Sequence, residues 1–423
     1  MHVAIVGNGV TGVSAALRLR ERRPDWRITL ISGESTYHYS RPALMYVFMG
    51  HMRYEDTKPY ADAFWGQKRL DLVRAWVRSI DFEEKRLLLH GKPPLTWDKL
   101  LIATGSEPNR FGWPGQDLAG VRGLWGLADL KALYDSAART RSAVIVGGGL
   151  IGVELAEMLH SRGAHVIFLV RESSYWNGVL PPEESRMVNR VLLEKGIDLR
   201  LETELAAILD DGTGRCGAVL TKGGERLECQ LVGLTAGVSP NLALVRGTAL
   251  CTARGVRVDP SFRTNVPDVF AAGDCAEIVF PGGATLVQQV WYTGKQQGEV
   301  AGDVIAGEER SYEPGIWFNS AKFFDLEYQT YGQVQRGVPG EASLYWEDPS
   351  GKHSVRVVYA GGRVIGFNLM GIRWRHEVCE RWIAEQRSLE HVLAHLAEVS
   401  FDPEFFRRHE ADVARAFARQ GAA

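Results

Sequence analysis

Two short β-branched runs, His2–Val6 (H-V-A-I-V) and Ser142–Val146 (S-A-V-I-V), each lead directly into a glycine-rich loop. Beyond each loop the apolar positions switch to helical spacing: Val13, Ala16, Leu17 and Leu19 in the first, Val153, Leu155, Ala156 and Leu159 in the second. Pro24 and Gly163 punctuate the ends of these helices, and a second strand follows each, over Arg27–Ser32 and His165–Val170. The runs Lys99–Gly105, Gln230–Gly237 and Asp268–Asp274 read as buried strands ending in small residues, and Leu286–Gly307 as a helix. From about Ser311 the texture changes. Ile316–Gly332, Ala342–Trp346, Ser354–Tyr359 and Val364–Met370 alternate like antiparallel strands, with Gly361-Gly362 as a hairpin turn, and Arg373–Ala418 is helical with a break near Asp402-Pro403. These patterns predict an α/β chain with two successive βαβ units and a C-terminal α+β domain. The expected boundaries are 1–114 with 239–310, then 115–238, then 311–423.

The loops themselves carry chemistry. Gly7-Asn8-Gly9-Val10-Thr11-Gly12 and Gly147-Gly148-Gly149-Leu150-Ile151-Gly152 both read G-x-G-x-x-G between a strand and a helix. Glycines permit the tight turn and let the backbone approach a pyrophosphate, while the helix start adds N–H donors and a positive dipole end. One such match is weak, but two in the required context make a mere turn-capping role for Gly7, Gly9 and Gly12 the poorer reading. An acid after the second strand serves a ribose hydroxyl, and an arginine there accommodates a 2′-phosphate. Glu34 takes that place in the first unit. Arg171 takes it in the second, which points to NADPH; the competing reading pairs Arg171 with Glu172 and gives the acid to NADH.

Composition narrows the classes. The 423 residues carry a formal net charge of -2, with 45% hydrophobic and 24% charged residues, which argues against a general nucleic-acid binder. No apolar run of roughly 18 residues is present, so no transmembrane helix is expected, and with the strand-like run His2–Val6 directly after Met1 no signal peptide is expected either. Cys216, Cys229, Cys251, Cys275 and Cys379 are scattered without a C-x-x-C, as expected of free thiols in a reducing cytoplasm, not of a disulfide framework or a zinc site.

With these motifs in order, the chain resembles the pyridine nucleotide–disulfide oxidoreductase superfamily, and within it the ferredoxin and rubredoxin reductase branch with its apoptosis-inducing-factor-like members. The resemblance covers roughly the first three quarters. It implies two Rossmann-like domains of the three-layer ββα type, FAD in the first and NADPH or NADH in the second. The segment Tyr39-Ser40-Arg41-Pro42-Ala43-Leu44 matches the branch's Tyr-x-Arg-Pro-Pro-Leu, which gives Arg41 and Pro42 a flavin-adjacent role. Ala103-Thr104-Gly105 matches the crossover between domains, and Ala236-Gly237 with Pro240-Asn241 its second-domain counterpart. Gly273-Asp274 matches the motif whose aspartate holds the ribityl chain, and Val290-Trp291, with Gln297-Gly298 downstream, the helix facing the flavin's pyrimidine edge. Trp317-Phe318-Asn319-Ser320 resembles the aromatic segment near the isoalloxazine; Glu154 matches a glutamate placed near the nicotinamide; Val77 joins the cofactor-binding set.

The departures are informative. No cysteine precedes Cys216, which disfavours the disulfide-reductase, coenzyme A-disulfide-reductase and single-cysteine oxidase readings, and Cys275 reads as a small buried filler. Where the branch places a lysine that pairs with the glutamate matched by Glu154, this chain has Tyr46, left either to hydrogen-bond Glu154 or to pack. Asn319 replaces the branch's second tryptophan. The apolar stripe Leu389, Val392, Leu393, Leu396 and Val399 and the mixed segment Arg373–Trp382 are expected to pack; the sharper alternative is a surface for a partner protein, a second subunit or peripheral membrane contact. His376, Glu377 and Cys379 are not expected to bind metal. The leading expectation is an FAD-dependent NAD(P)H oxidoreductase serving a ferredoxin- or rubredoxin-type protein. A quinone reductase and an NADH-binding redox sensor are the alternatives, and a homo-oligomer is left open.

Overall fold

The computed structural model describes residues 1–335, 337–401 and 408–421. By packing, the chain divides into two compact units: Met1–Phe111 with Gly123–Asp135 and Gly237–Pro314, and Gly112–Arg122 with Ser136–Ala236 and Gly315–Ala423.

The first unit is built on a five-stranded parallel sheet in the order Val269–Ala271, Lys99–Ile102, His2–Val6, Arg27–Ser32, Asp71–Arg74. The central strand pairs His2 with Arg27 through Val6 with Ile31 on one side, and Val3 with Lys99 through Val6 with Ile102 on the other. A strand paired on both edges and covered on both faces must be apolar throughout. Val3, Ala4 and Ile5 are fully buried accordingly. The helices Val10–Arg22 and Trp291–Ile305 lie close together because glycines remove side chains between them: a Cβ at Gly298 would stand 2.3 Å from the Thr11 carbonyl oxygen. The second helix is five residues shorter at its start than its sequence pattern suggests. Thr285–Leu286 instead pairs with Ile278–Val279 as an antiparallel edge, and Val290 is an extended N-cap, so the helix begins at Trp291.

The second unit repeats the design. Its parallel sheet runs Asp198–Arg200, His165–Leu169, Ser142–Val146, Leu231–Leu234, Val121–Arg122. Ser142 pairs with His165 through Val146 with Leu169, the register of the first unit repeated. The same unit contains a five-stranded antiparallel sheet ordered Phe318–Phe323, Leu326–Gly332, Arg363–Met370, Ser354–Ala360, Glu341–Glu347. The long alternating run 316–332 is therefore two strands, turned at Phe324, which adopts φ +54°. Helices His376–Ala384, Leu389–Ala394 and Glu410–Gly421, with a 3₁₀ turn at Leu396–Val399, cover this sheet, so the expected helical tail is interrupted more often than its apolar pattern suggests. The break near Asp402-Pro403 lies outside the described residues. Val392, Leu396 and Val399 of the apolar stripe are buried in the sheet's core together with Trp374, Cys379 and Trp382, which is the packing outcome for both segments. Among the described residues no helix is long and apolar enough to cross a membrane.

Candidate functional site

In the first unit, Gly7 adopts φ +116°, and a Cβ there would lie 2.1 Å from the Ala103 carbonyl oxygen, so the crossover strand leaves room for glycine alone. A Cβ at Gly12 would meet the Gly7 carbonyl oxygen at 2.0 Å, which lets helix and strand end close together. Gly9, the N-cap, faces open space, no side chain caps the helix, and its first turn holds no acid. Val10 and Thr11 open that helix. The loop thus offers unspent amides and a positive dipole end, the donor set a pyrophosphate requires. The buried Asn8 side chain donates to the Ser35 carbonyl at 3.0 Å, and His38 Nδ1 lies 2.8 Å from the Asn8 carbonyl oxygen. Burial pushes the His38 imidazole below its ordinary pKa and keeps it neutral.

This pinning delivers Glu34. Its carboxylate accepts from the Tyr39 hydroxyl at 2.8 Å, from Arg41 at 2.5 Å and from the Leu127 N–H at 2.9 Å. Beside it lies a cavity of ≈ 320 Å³ lined by Glu34, Tyr37, Tyr54 and Arg74. Arg41 also donates to the Trp125 carbonyl at 2.7 Å and stacks over the Tyr39 and Trp125 rings. Pro42 follows in a 3₁₀ turn, and the short helix Leu44–Met49 carries Tyr46, whose ring tilts against His51. Val77 is half-buried at the start of the strand Val77–Asp81.

Asp274 anchors a smaller polar cluster of the same unit. Its half-buried carboxylate accepts from the Ser106 hydroxyl at 2.8 Å, and Ser106 accepts from the Gln289 amide at 2.8 Å. Desolvation raises the Asp274 pKa against the pull of Ser106 and Arg41. Such a carboxylate favours further hydroxyl donors, which a ribityl chain supplies. The Gly273 N–H donates to Gln297 Oε1 at 2.9 Å. Thr104 donates to the Asn241 carbonyl at 2.9 Å, and Gly105 accepts from the Asn241 N–H at 2.9 Å, so the two crossover segments are stitched together. Gly237 sits at that junction with φ +86°. Val290 caps the helix Trp291–Ile305 without a side-chain hydrogen bond, and Trp291 is 43% exposed at its start. Cys275 is fully buried, its thiol pushed up by desolvation and donating to the Ile102 and Ala272 carbonyls at 3.4 Å.

The second loop has the same backbone. Gly147 adopts φ +116°, with the Thr235 carbonyl oxygen 2.6 Å from its Cβ position. Gly152 abuts the Gly147 carbonyl oxygen, and Gly149 faces open space ahead of Leu150 and Ile151. The buried Tyr175 hydroxyl donates to the Gly149 carbonyl at 2.5 Å and fixes the loop from behind. Arg171 is 75% exposed and donates to Glu172 Oε1 at 2.7 Å, the pairing weighed as the competing reading. Desolvation, then the neighbouring Glu157 carboxylate, push the half-buried Glu154 carboxyl up to about 7 against the pull of Lys322. Asn319 lies on the strand Phe318–Phe323, its side-chain oxygen accepting from the Ser320 N–H at 3.0 Å. Ser106, Gln289, His38, Tyr175 and Lys322 are absent from the sequence-based set; of these, Ser106, Gln289 and His38 adjoin recognised motifs, whereas Tyr175 and Lys322 carry no local signal.

The pyridine nucleotide-disulphide oxidoreductase family model matches residues 1–298. The chain is 30% identical over 307 residues to the biphenyl dioxygenase system ferredoxin–NAD(+) reductase component of Paraburkholderia xenovorans, covering 72% of this chain and 75% of that protein. It is 30% identical over 278 residues to the rubredoxin–NAD(+) reductase of Pseudomonas putida, covering 65% and 72%. In fold it is similar to a NAD-dependent persulfide reductase from A. fulgidus, with TM-score 0.87 at 21% identity over 100% of this chain and 84% of that one. It is also similar to the reductase in a covalent putidaredoxin reductase–putidaredoxin complex, with TM-score 0.82 at 19% identity over 100% and 99%. The chain belongs to the pyridine nucleotide-disulphide oxidoreductase family and is an FAD-dependent NAD(P)H oxidoreductase of the ferredoxin reductase type.

Proposed function

We propose that this protein takes a hydride from NADPH in preference to NADH and passes the electrons singly from FAD to a small iron–sulfur or rubredoxin-type protein, with no dithiol between. The observation that carries the reading is the first unit's cysteine content. Cys251 and Cys275 are its cysteines: the one is exposed outside the motifs that would hold FAD, and the other is buried with both its thiol and its surroundings unsuited to attack. In this reading the loop Gly7–Gly12 holds the FAD pyrophosphate, Glu34 and Arg41 fix the adenosine half, and Asp274 with Ser106 binds the ribityl chain. The loop Gly147–Gly152 holds the second pyrophosphate, and Glu154 stands at the nicotinamide end. Bound FAD supplies a two-electron acceptor able to release electrons one at a time. The functional division is then 1–114 with 239–310 for FAD, 115–238 for NAD(P)H, and 311–423 for the acceptor side.

The preference for NADPH rests on Arg171. Its bond to Glu172 is solvent-exposed and of the kind worth under about 1 kcal/mol, so a 2′-phosphate competes for the guanidinium at small cost. The protein acceptor is supported by the relatives, one named for ferredoxin and one for rubredoxin. Five free thiols fit the reducing cytoplasm in which such carriers work. The test is turnover of the FAD-loaded protein with either nucleotide against a [2Fe–2S] ferredoxin, a rubredoxin and a soluble quinone. Fast reduction of a protein carrier, with NADPH ahead of NADH, is expected. Turnover with the quinone alone would establish the quinone-reductase alternative. Slow flavin reduction with a long-lived charge-transfer band would establish the sensor.

A further inference from the structure

The second unit holds a charge cluster of which only Glu154 falls in a recognised motif. Glu154 and Glu157 stand three residues apart on the helix Leu150–Ser161 and so share a face. Lys322, on the strand Phe318–Phe323, reaches that face and donates to Glu157 Oε1 at 2.7 Å. The pair is largely shielded, with 27% of the lysine and 15% of the glutamate side chain exposed. Two carboxyls therefore answer to one ammonium. Tyr175, from the turn after His165–Leu169, also faces Glu154, and burial keeps its phenol protonated. Lys322 stands where the helix face needs a cation, and residue 46, the place where the family resemblance leads one to look for it, is a tyrosine.

We infer that Lys322 is a positioning residue for NAD(P)H oxidation: by neutralising Glu157 it lets the Glu154 carboxyl ionise beside the dinucleotide, and so sets the pH at which hydride departs. The inference rests on the reading that Glu154 stands at the nicotinamide end. Loss of a hydride leaves positive charge on the nicotinamide ring, and a carboxylate fixed nearby lowers the barrier as that charge develops. The sign is then determined. Glu154 is neutral and unhelpful below its pKa of about 7 and ionised above it, so the rate of flavin reduction rises through that pH. Without Lys322, the Glu157 carboxylate is uncompensated and holds the proton on Glu154 to higher pH. Without the Glu157 charge, Glu154 ionises at lower pH.

The test is the pH profile of flavin reduction by saturating NADPH, recorded by stopped flow on the FAD-loaded protein. Lys322→Met should move the midpoint up by about one unit, a loss of about fivefold at neutral pH that is recovered in alkali, and Lys322→Arg should restore the parent profile. Glu157→Gln should move the midpoint down. A Lys322→Met profile superimposable on the parent's would overturn the inference. Should that variant fail to retain FAD, Glu157→Gln decides alone, and an unmoved midpoint there overturns it equally. Glu154→Gln separates the two levels: it should abolish the pH dependence, and if it does not, the reading of Glu154 fails whatever Lys322 does.

Discussion

The two glycine loops of this chain share a backbone and differ in what surrounds them. Gly7 and Gly147 have the same φ of +116°, and both second strands pair in the same register with the first. Beyond the strand, however, Glu34 is held by a hydroxyl, a guanidinium and a main-chain N–H, whereas the largely exposed Arg171 side chain donates to its neighbour Glu172. Asn8 and His38 pin the first loop to the segment that follows its acid; the second loop is fixed from behind by Tyr175. A many-point, part-buried cradle suits a cofactor that stays bound, and an exposed cation beside an open loop suits one that exchanges every turnover. On the proposed assignment the same supersecondary unit serves a resident and a visitor, and the difference lies in the side chains that flank the loop.

Substitutions in the loops test that contrast most severely. Gly7→Ala forces a Cβ into the Ala103 carbonyl at an unfavourable φ, and should cost about 3 kcal/mol of stability with loss of bound flavin, read by thermal melting and absorbance of the purified protein. Gly147→Ala, with the Thr235 carbonyl 2.6 Å from the added Cβ, should keep its flavin and lose rapid bleaching by NAD(P)H. If Gly147→Ala also emptied the flavin site, the two loops would not be independent. Next in size is Glu34→Gln, which leaves Arg41 without its charge partner and should weaken FAD binding by about 2 kcal/mol, roughly 30-fold, in a fluorescence titration. Arg171→Ala should raise KM for NADPH about tenfold and leave NADH unchanged; equal effects on both would remove the 2′-phosphate role. Smallest is Tyr46→Lys, expected to speed flavin reduction by a few-fold at most, as Lys322 already serves the cluster around Glu154.

The sequence makes the parallel strands legible because a β-branched run stopping at a glycine loop admits few other readings: His2–Val6 and Ser142–Val146 occupy the residues that pattern marks. It is less informative where an apolar run suits either element. Residues 286–290 continue the helical pattern of Trp291–Ile305, yet pairing with Ile278 draws Leu286 into a strand with Thr285. The site divides in the same way. Motif residues such as Glu34 and Asp274 are readable from local order, and Ser106 adjoins Gly105. Lys322 has no local signal, because it lies 165 residues from Glu157 and the fold alone brings them together.

The central claim is that electrons pass from NAD(P)H to FAD and leave from FAD directly. Anaerobic titration of the FAD-loaded protein with NADPH counts the redox centres involved. A flavin and a redox-active disulfide together take up two equivalents, while a flavin alone takes up one. The account predicts complete bleaching of the oxidised-flavin absorbance band at one NADPH per FAD, unchanged after alkylation of the exposed Cys251. Consumption of a second equivalent, or a stoichiometry that alkylation alters, would contradict it.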